Sequence, residues 1–163
     1  MTSWAQSLAA GLLAAVLLTL TLLLSPQPLA AAPSGCAPIP PGQAEALFER
    51  WNAALQSGDA ARVTALYGPD ALLLPTLSAQ PRQSPEAIQA YFEQFLRHSP
   101  QGRIERRVLQ PGCNTLVDAG TYSFLLDGSR RLQARYTFVY RYEDGEWRIS
   151  HHHSSLEPDP PAA

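Results

Sequence analysis

Near residue 100 the apolar residues of this chain stop recurring every three or four positions and begin to alternate. That switch limits the fold more than any other feature. Upstream, Ala44, Leu47, Phe48, Trp51 and Leu55 follow the spacing of one helix face. Gly58 ends this helix, and Asp59 caps a short second one with Val63, Leu66 and Tyr67 on its inner side. Ala71-Leu72-Leu73-Leu74-Pro75 is too short for a helix and reads as a short strand. Ser84-Pro85-Glu86 opens a third helix with proline at its first position, and Ile88, Tyr91, Phe92, Phe95 and Leu96 form its stripe. Downstream, segments 104–109, 116–126, 133–142 and 147–154 alternate, separated by Pro111-Gly112, Asp127-Gly128 and Asp144-Gly145 turn signals. Connections this short predict an antiparallel meander. Helices first and strands afterwards predict an α+β fold, with the helices on one face of a bent sheet.

Alternation also sorts side chains onto faces. Tyr136, Phe138 and Tyr140 point one way, towards the helix stripes, and Arg135, Thr137, Val139 and Arg141 point the other. Asp118, Tyr122 and Phe124 share a face of the second segment. In the last segment Trp147, Ile149, His151 and His153 are expected on one side, the packed one by its Trp and Ile, with Arg148, Ser150, His152 and Ser154 opposite.

The first charged side chain is Glu45. Before it, residues 8–24 are almost entirely Leu, Ala and Val, and Leu29-Ala30-Ala31-Ala32-Pro33 carries small residues in A-x-A order. This is a secretory signal over residues 1–32, followed by a Pro-rich linker at 33–42, the folded domain at 43–157 and a disordered tail at 158–163. The leading segment has no Lys or Arg, so an uncleaved membrane anchor is the alternative. An exported, periplasmic or secreted domain of about 131 residues holds one core. In an oxidising compartment the two cysteines, Cys36 and Cys113, form a disulfide or else stand as separate buried thiols. Net charge is −2, from 12 basic and 14 acidic side chains, so nucleic acid is not an expected partner. Every basic residue is Arg, which excludes a lysine Schiff base.

Several stretches together resemble a known family. These are Trp51-Asn52-Ala53-Ala54-Leu55 with Gly58-Asp59, the 73–78 segment LLPTLS, Tyr91-Phe92 with Phe95-Leu96, the 134–140 segment ARYTFVY, and Gly145-Glu146-Trp147 running into the 151–155 segment HHHSS. They look like bacterial relatives of the association (hub) domain of calcium/calmodulin-dependent protein kinase II, over roughly residues 43–158. The resemblance implies the cone-shaped α+β barrel of the nuclear-transport-factor-2-like superfamily, which also holds ketosteroid isomerase and cyclase-like enzymes. It further implies a cavity between sheet and helices, and self-association through the outer sheet face into a dimer or larger ring. The kinase hub lines its cavity with arginines, whereas the matching positions here are Tyr122, Phe138 and Ser154. Kinase activity is not implied, since no glycine-rich nucleotide loop or catalytic-loop motif is present.

Candidate chemistry rests on few residues. Asp118, beside Tyr122, would become a general base if burial raised its pKa, or it simply pairs with an arginine. His151 and His153 alternate on one strand face; without a third ligand they point to hydrogen bonding in a cavity wall or interface, and no metal or cofactor is expected. Arg135 would clamp a carboxylate, pair with another subunit or sit in solvent, while Arg106-Arg107 and Arg130-Arg131 read as solvated strand ends. Trp51, Tyr122, Arg135, Tyr136, His151 and His153 are the expected ligand-binding set, with Asp118 and His153 as catalytic candidates. Three functions compete: a non-catalytic self-associating module holding a small apolar or weakly polar ligand, a cofactor-free isomerase, dehydratase or cyclase, and an adaptor for another exported protein.

Overall fold

The computed structural model describes residues 35, 36, 39, 40 and 42–158. The expected signal segment, half of the linker and the tail beyond residue 158 lie outside the described residues. Gly42, at φ 82°, turns the chain into α1, Gln43–Gln56. That helix buries Ala44, Leu47, Phe48, Trp51 and Leu55, the stripe its spacing predicts. The Asp59 carboxylate accepts from the Ala61 and Arg62 N–H groups at 2.9 and 3.2 Å, opening α2, Ala60–Thr64. At five residues this helix is shorter than expected, so Leu66 is half-buried and Tyr67 already belongs to β1, Tyr67–Leu74. Ser84 caps α3, Pro85–Phe95, by accepting from Ala87 N–H at 3.2 Å, and a 3₁₀ turn, Leu96–His98, follows.

The four alternating segments become β2, Gln101–Gly112, β3, Thr115–Leu126, β4, Arg130–Glu143, and β5, Glu146–Leu156. They pair as the expected antiparallel meander. Asp127-Gly128 and Asp144-Gly145 make the two later turns, all four residues at positive φ. β1 adds to β5 in parallel, giving the order β1-β5-β4-β3-β2. The sheet is therefore mixed, curved and unclosed, with α1 to α3 packed on one side. A parallel neighbour needs a long crossover, which the rest of the domain supplies.

Two β-bulges shape the antiparallel part of the sheet. Ile104 pairs with Tyr122 and Arg106 with Thr121, so Glu105 is an extra residue in β2. A Cβ on Gly120 would lie 1.9 Å from the Arg106 carbonyl oxygen, so the bend at this point requires glycine. The second bulge corrects an expectation. Tyr140 pairs with Ile149 and Val139 with His151, leaving Ser150 extra and reversing the alternation of β5 beyond it. Trp147 and Ile149 are buried as expected, but His152 and Ser154, not His151 and His153, continue their face into the core.

Aromatic rings fill the space between sheet and helices. Trp51 lies 5.3 Å from Phe138 and 6.4 Å from Phe92 between ring centroids, both edge-to-face, and Phe95 meets Phe124 at 5.5 Å. Cys36 and Cys113 are joined in a disulfide that ties the chain ahead of α1 to the β2–β3 turn, their Cα atoms 4.8 Å apart. Such a bond is compatible with an extracellular location. Among the described residues no helix is long and apolar enough to cross a membrane.

Candidate functional site

A line of polar side chains crosses the core. Trp51 Nε1 donates to Tyr67 Oη at 3.2 Å, and Tyr67 Oη meets His152 Nδ1 at 2.9 Å. On the other side of the ring, Nε2 stands 3.5 Å from Tyr122 Oη, which donates to Ser154 Oγ, and Ser154 contacts Thr76 Oγ1. Tyr122 gives its proton to Ser154, so it can only accept from Nε2, and Nδ1 then accepts from the Tyr67 hydroxyl. That leaves Nε2 as the protonated nitrogen of a neutral ring. Phe138 stacks on the imidazole with centroids 4.0 Å apart, and Trp51 meets it edge-on. Burial, reinforced by the charges of His151 and His153, pushes the His152 pKa down to about 3. Burial likewise raises the Tyr67 and Tyr122 hydroxyls, which stay protonated donors. The remaining space bounded by Thr76, Tyr91, Phe95, Tyr122 and Ser154 is about 10 Å³, roughly that of one water.

Asp118 occupies a separate cluster. Its side chain is sealed from solvent, and it accepts from Tyr136 Oη at 2.8 Å and from Arg107 Nε at 3.2 Å. Arg107 Nη2 faces the second carboxylate oxygen at 3.1 Å, an ion-pair distance with the hydrogen-bond angle unmet. Burial raises the Asp118 pKa, opposed by the Tyr136 hydrogen bond and by Arg107. The tyrosine donor is therefore Tyr136 and not the Tyr122 anticipated from strand alternation. Arg107 also departs from the expected solvated strand end. Following the bulge at Glu105, it pairs with Gly120 and turns inward, its guanidinium 5.8 Å from the Phe48 ring.

Among the described residues, none covers the outer face of the sheet. Register places Val117, Val139, His151 and Leu72 in one row, and Val108, Ala119, Thr137, His153 and Leu74 in the next. Arg106, Thr121, Arg135 and Ser155 form a third. Val108 is 60% exposed. Towards one end a groove of about 510 Å³ opens where β1 departs from β5, bordered by Asp70, Val139, Arg141, Glu143 and His151. Burial, with the His153 charge, lowers the His151 pKa.

The six residues expected to bind ligand thus divide between the two sides of the sheet. Trp51 and Tyr122 join through His152, and Tyr136 holds Asp118. Arg135, His151 and His153 lie on the outer face, and His153 shares no site with Asp118. Alternation alone passed over His152 because a bulge leaves no mark in a run of three identical residues. Tyr67, placed on a helix by its spacing, had no signal linking it to a strand some 80 residues later. No group of three or more His, Cys, Asp or Glu side chains among the described residues is arranged to hold a metal ion.

The calcium/calmodulin dependent protein kinase II association domain family matches residues 43–158. A Xanthomonas campestris protein described as a candidate association domain of this kind is 42% identical, with a TM-score of 0.71 over 80% of this chain and 99% of its own. An NTF2-like protein of unknown function from Pseudomonas putida is 20% identical, with a TM-score of 0.64 over 73% of this chain and 87% of its own. A candidate dehydratase of the NTF2-like family from Streptomyces avermitilis is 14% identical, with a TM-score of 0.63 over 71% of this chain and 94% of its own. The last two likenesses speak for the fold alone. No curated protein matches the chain. The matched span covers every described helix and strand, and the chain belongs to the calcium/calmodulin-dependent protein kinase II association domain family, on an NTF2-like fold.

Proposed function

We propose that this is an exported, non-catalytic module that associates with further copies of itself through the outer face of its sheet. The observation that carries the proposal is the uncovered pair of rows running from Val108 and Val117 to Leu72 and Leu74. Their centre is apolar or small, and their border is charged. Two copies related by a two-fold axis present the same patch to each other, so its charges must be self-complementary. Arg135 and Arg141 supply positive charge there, and Asp70 and Glu143 supply negative charge. A ligand inside the cone has about 10 Å³, so it enters only if Tyr91, Phe92 or Phe95 moves. The isomerase or dehydratase alternative draws on Asp118, whose carboxylate is occupied by Arg107 and Tyr136.

Light scattering on the mature protein tests the proposal. The expected result is a dimer or larger ring that Val139→Arg converts to a monomer with an unchanged far-ultraviolet circular dichroism spectrum. A strictly monomeric wild-type protein at micromolar concentration would overturn it.

A further inference from the structure

On the helical side of the domain, the loop between β1 and α3 folds back and makes a pocket of about 300 Å³ against α3. Two backbone hydrogen bonds anchor the loop, Leu73 N–H to the Arg82 carbonyl at 2.9 Å and Arg82 N–H to the Leu73 carbonyl at 2.8 Å. They hold Arg82 at the loop's end, where the residue forms part of the pocket wall. Leu77 and Ser78 line the loop side. Ala90, Gln94 and His98, spaced four apart, line the α3 side with Tyr91 and Phe95.

The guanidinium is under-used where it stands. Its Nη2 donates to Ser78 Oγ at 3.1 Å, its Nε is buried without a hydrogen-bond partner, and no carboxylate among the described residues pairs with it. A half-buried cation with no carboxylate beside it is stabilised by an anion. Other charge in the pocket is modest. His98 is already engaged with the Asp127 carboxylate at 3.3 Å, so one unmatched positive charge remains and it suits a monoanion. Tyr91 and Phe95 lie nearly parallel, 13° apart with centroids at 5.8 Å, and present aromatic surface at the same place. Tyr91 is tied to the Leu77 backbone through its hydroxyl, and burial pushes that hydroxyl up to about 12, so it remains protonated. Leu77, 45% exposed, sits at the rim. The volume lies at the small end for ligand pockets, which run from about 300 to 1,000 Å³.

We propose that this pocket binds a small aromatic monocarboxylate, the carboxylate on Arg82 and Ser78 and the ring against Tyr91 and Phe95. The site shares Tyr91 and Phe95 with the small space beside Tyr122 and Ser154, but none of its walls lies on the outer sheet face, so it stands whether or not the protein self-associates.

The test is a titration of the isotope-labelled mature protein with sodium benzoate, followed by backbone amide NMR. Benzamide, acetate and phenyl phosphate are run in parallel. Benzoate is expected to move the amides of Leu77, Ser78 and residues 90–98 and to saturate. The neutral amide and the ringless acetate should each bind about tenfold or more weakly, a difference of about 1.4 kcal/mol or more. Arg82→Gln should abolish saturation. Ser78→Asp leaves Arg82 in place and supplies an internal carboxylate, so it should also abolish binding while the protein stays folded; this variant decides the matter if Arg82→Gln is unstable. Equal binding of benzoate and benzamide, wild-type affinity in Ser78→Asp, or shifts centred on Arg135 and Arg141 would overturn the site. Tighter binding of phenyl phosphate, or acetate binding as well as benzoate, would overturn the ligand class.

Discussion

His152→Asn is expected to change how stability depends on pH more than it changes the fold. Asparagine keeps a polar partner for Tyr67 but removes the titrating ring. In the unfolded chain this imidazole titrates near 6.5, and in the folded core burial holds it at about 3. The folded pKa is depressed, so between these values the unfolded state binds the extra proton. Stability from the neutral ring is then fully present above pH 6.5 and lost as pH falls. The loss approaches about 1.4 kcal/mol per pH unit, or roughly 2.5 kcal/mol by about pH 4.5. Asp118 works in the opposite sense: its folded pKa is raised, so its contribution is present at low pH and lost as pH rises. His151 is also lowered but is kept in the variant, so much of its effect cancels in the comparison. Urea unfolding with the disulfide intact, followed by the fluorescence of Trp51 and Trp147, reads the stability of both proteins at about pH 7 and about pH 4.5. Wild type should lose roughly 2.5 kcal/mol more than the variant on acidification. An equal loss in both would refute the placement of a neutral histidine in the core.

Arg107→Met leaves the Asp118 carboxylate buried without its cation and should cost about 3–5 kcal/mol in urea unfolding, with part regained in a double variant carrying Asp118→Asn. Replacing Cys36 and Cys113 by serine opens a loop with a sequence separation of 77 and should cost about 4 kcal/mol on the chain-entropy model, seen as a lower melting temperature. Gly120→Ala should cost about 1–3 kcal/mol in the same assay, because the new methyl group meets the backbone at Arg106.

What could be read in the sequence was whatever repeats locally. The α1 stripe from Ala44 to Leu55, the caps at Asp59 and Ser84, and the turns at Asp127 and Asp144 all follow from neighbours within a few residues. The start of β1 did not, because Gly68-Pro69-Asp70 has turn composition and the strand is held by its parallel partner β5. Arg107 was misplaced for a similar reason: the extra residue at Glu105 sets which of two adjacent arginines turns inward. The Asp118 face was legible from alternation in β3, but its partners sit on β2 and β4, and only pairing register brings them together. Outer-face composition was visible strand by strand, while the rows that make it a surface were not.

The bulge at Ser150 also bears on how this strand can vary. A one-residue register slip ordinarily replaces a core side chain with one built for solvent, and selection removes it. Here the residues on both sides of His152 are histidines, so a slip in either direction still delivers an imidazole to the place between Tyr67 and Tyr122. The triplet acts as a synonym at the level of structure: insertions or deletions near Ser150 leave the buried ring's identity unchanged. Its function is therefore attached to a place in the sheet and not to a numbered position in the gene.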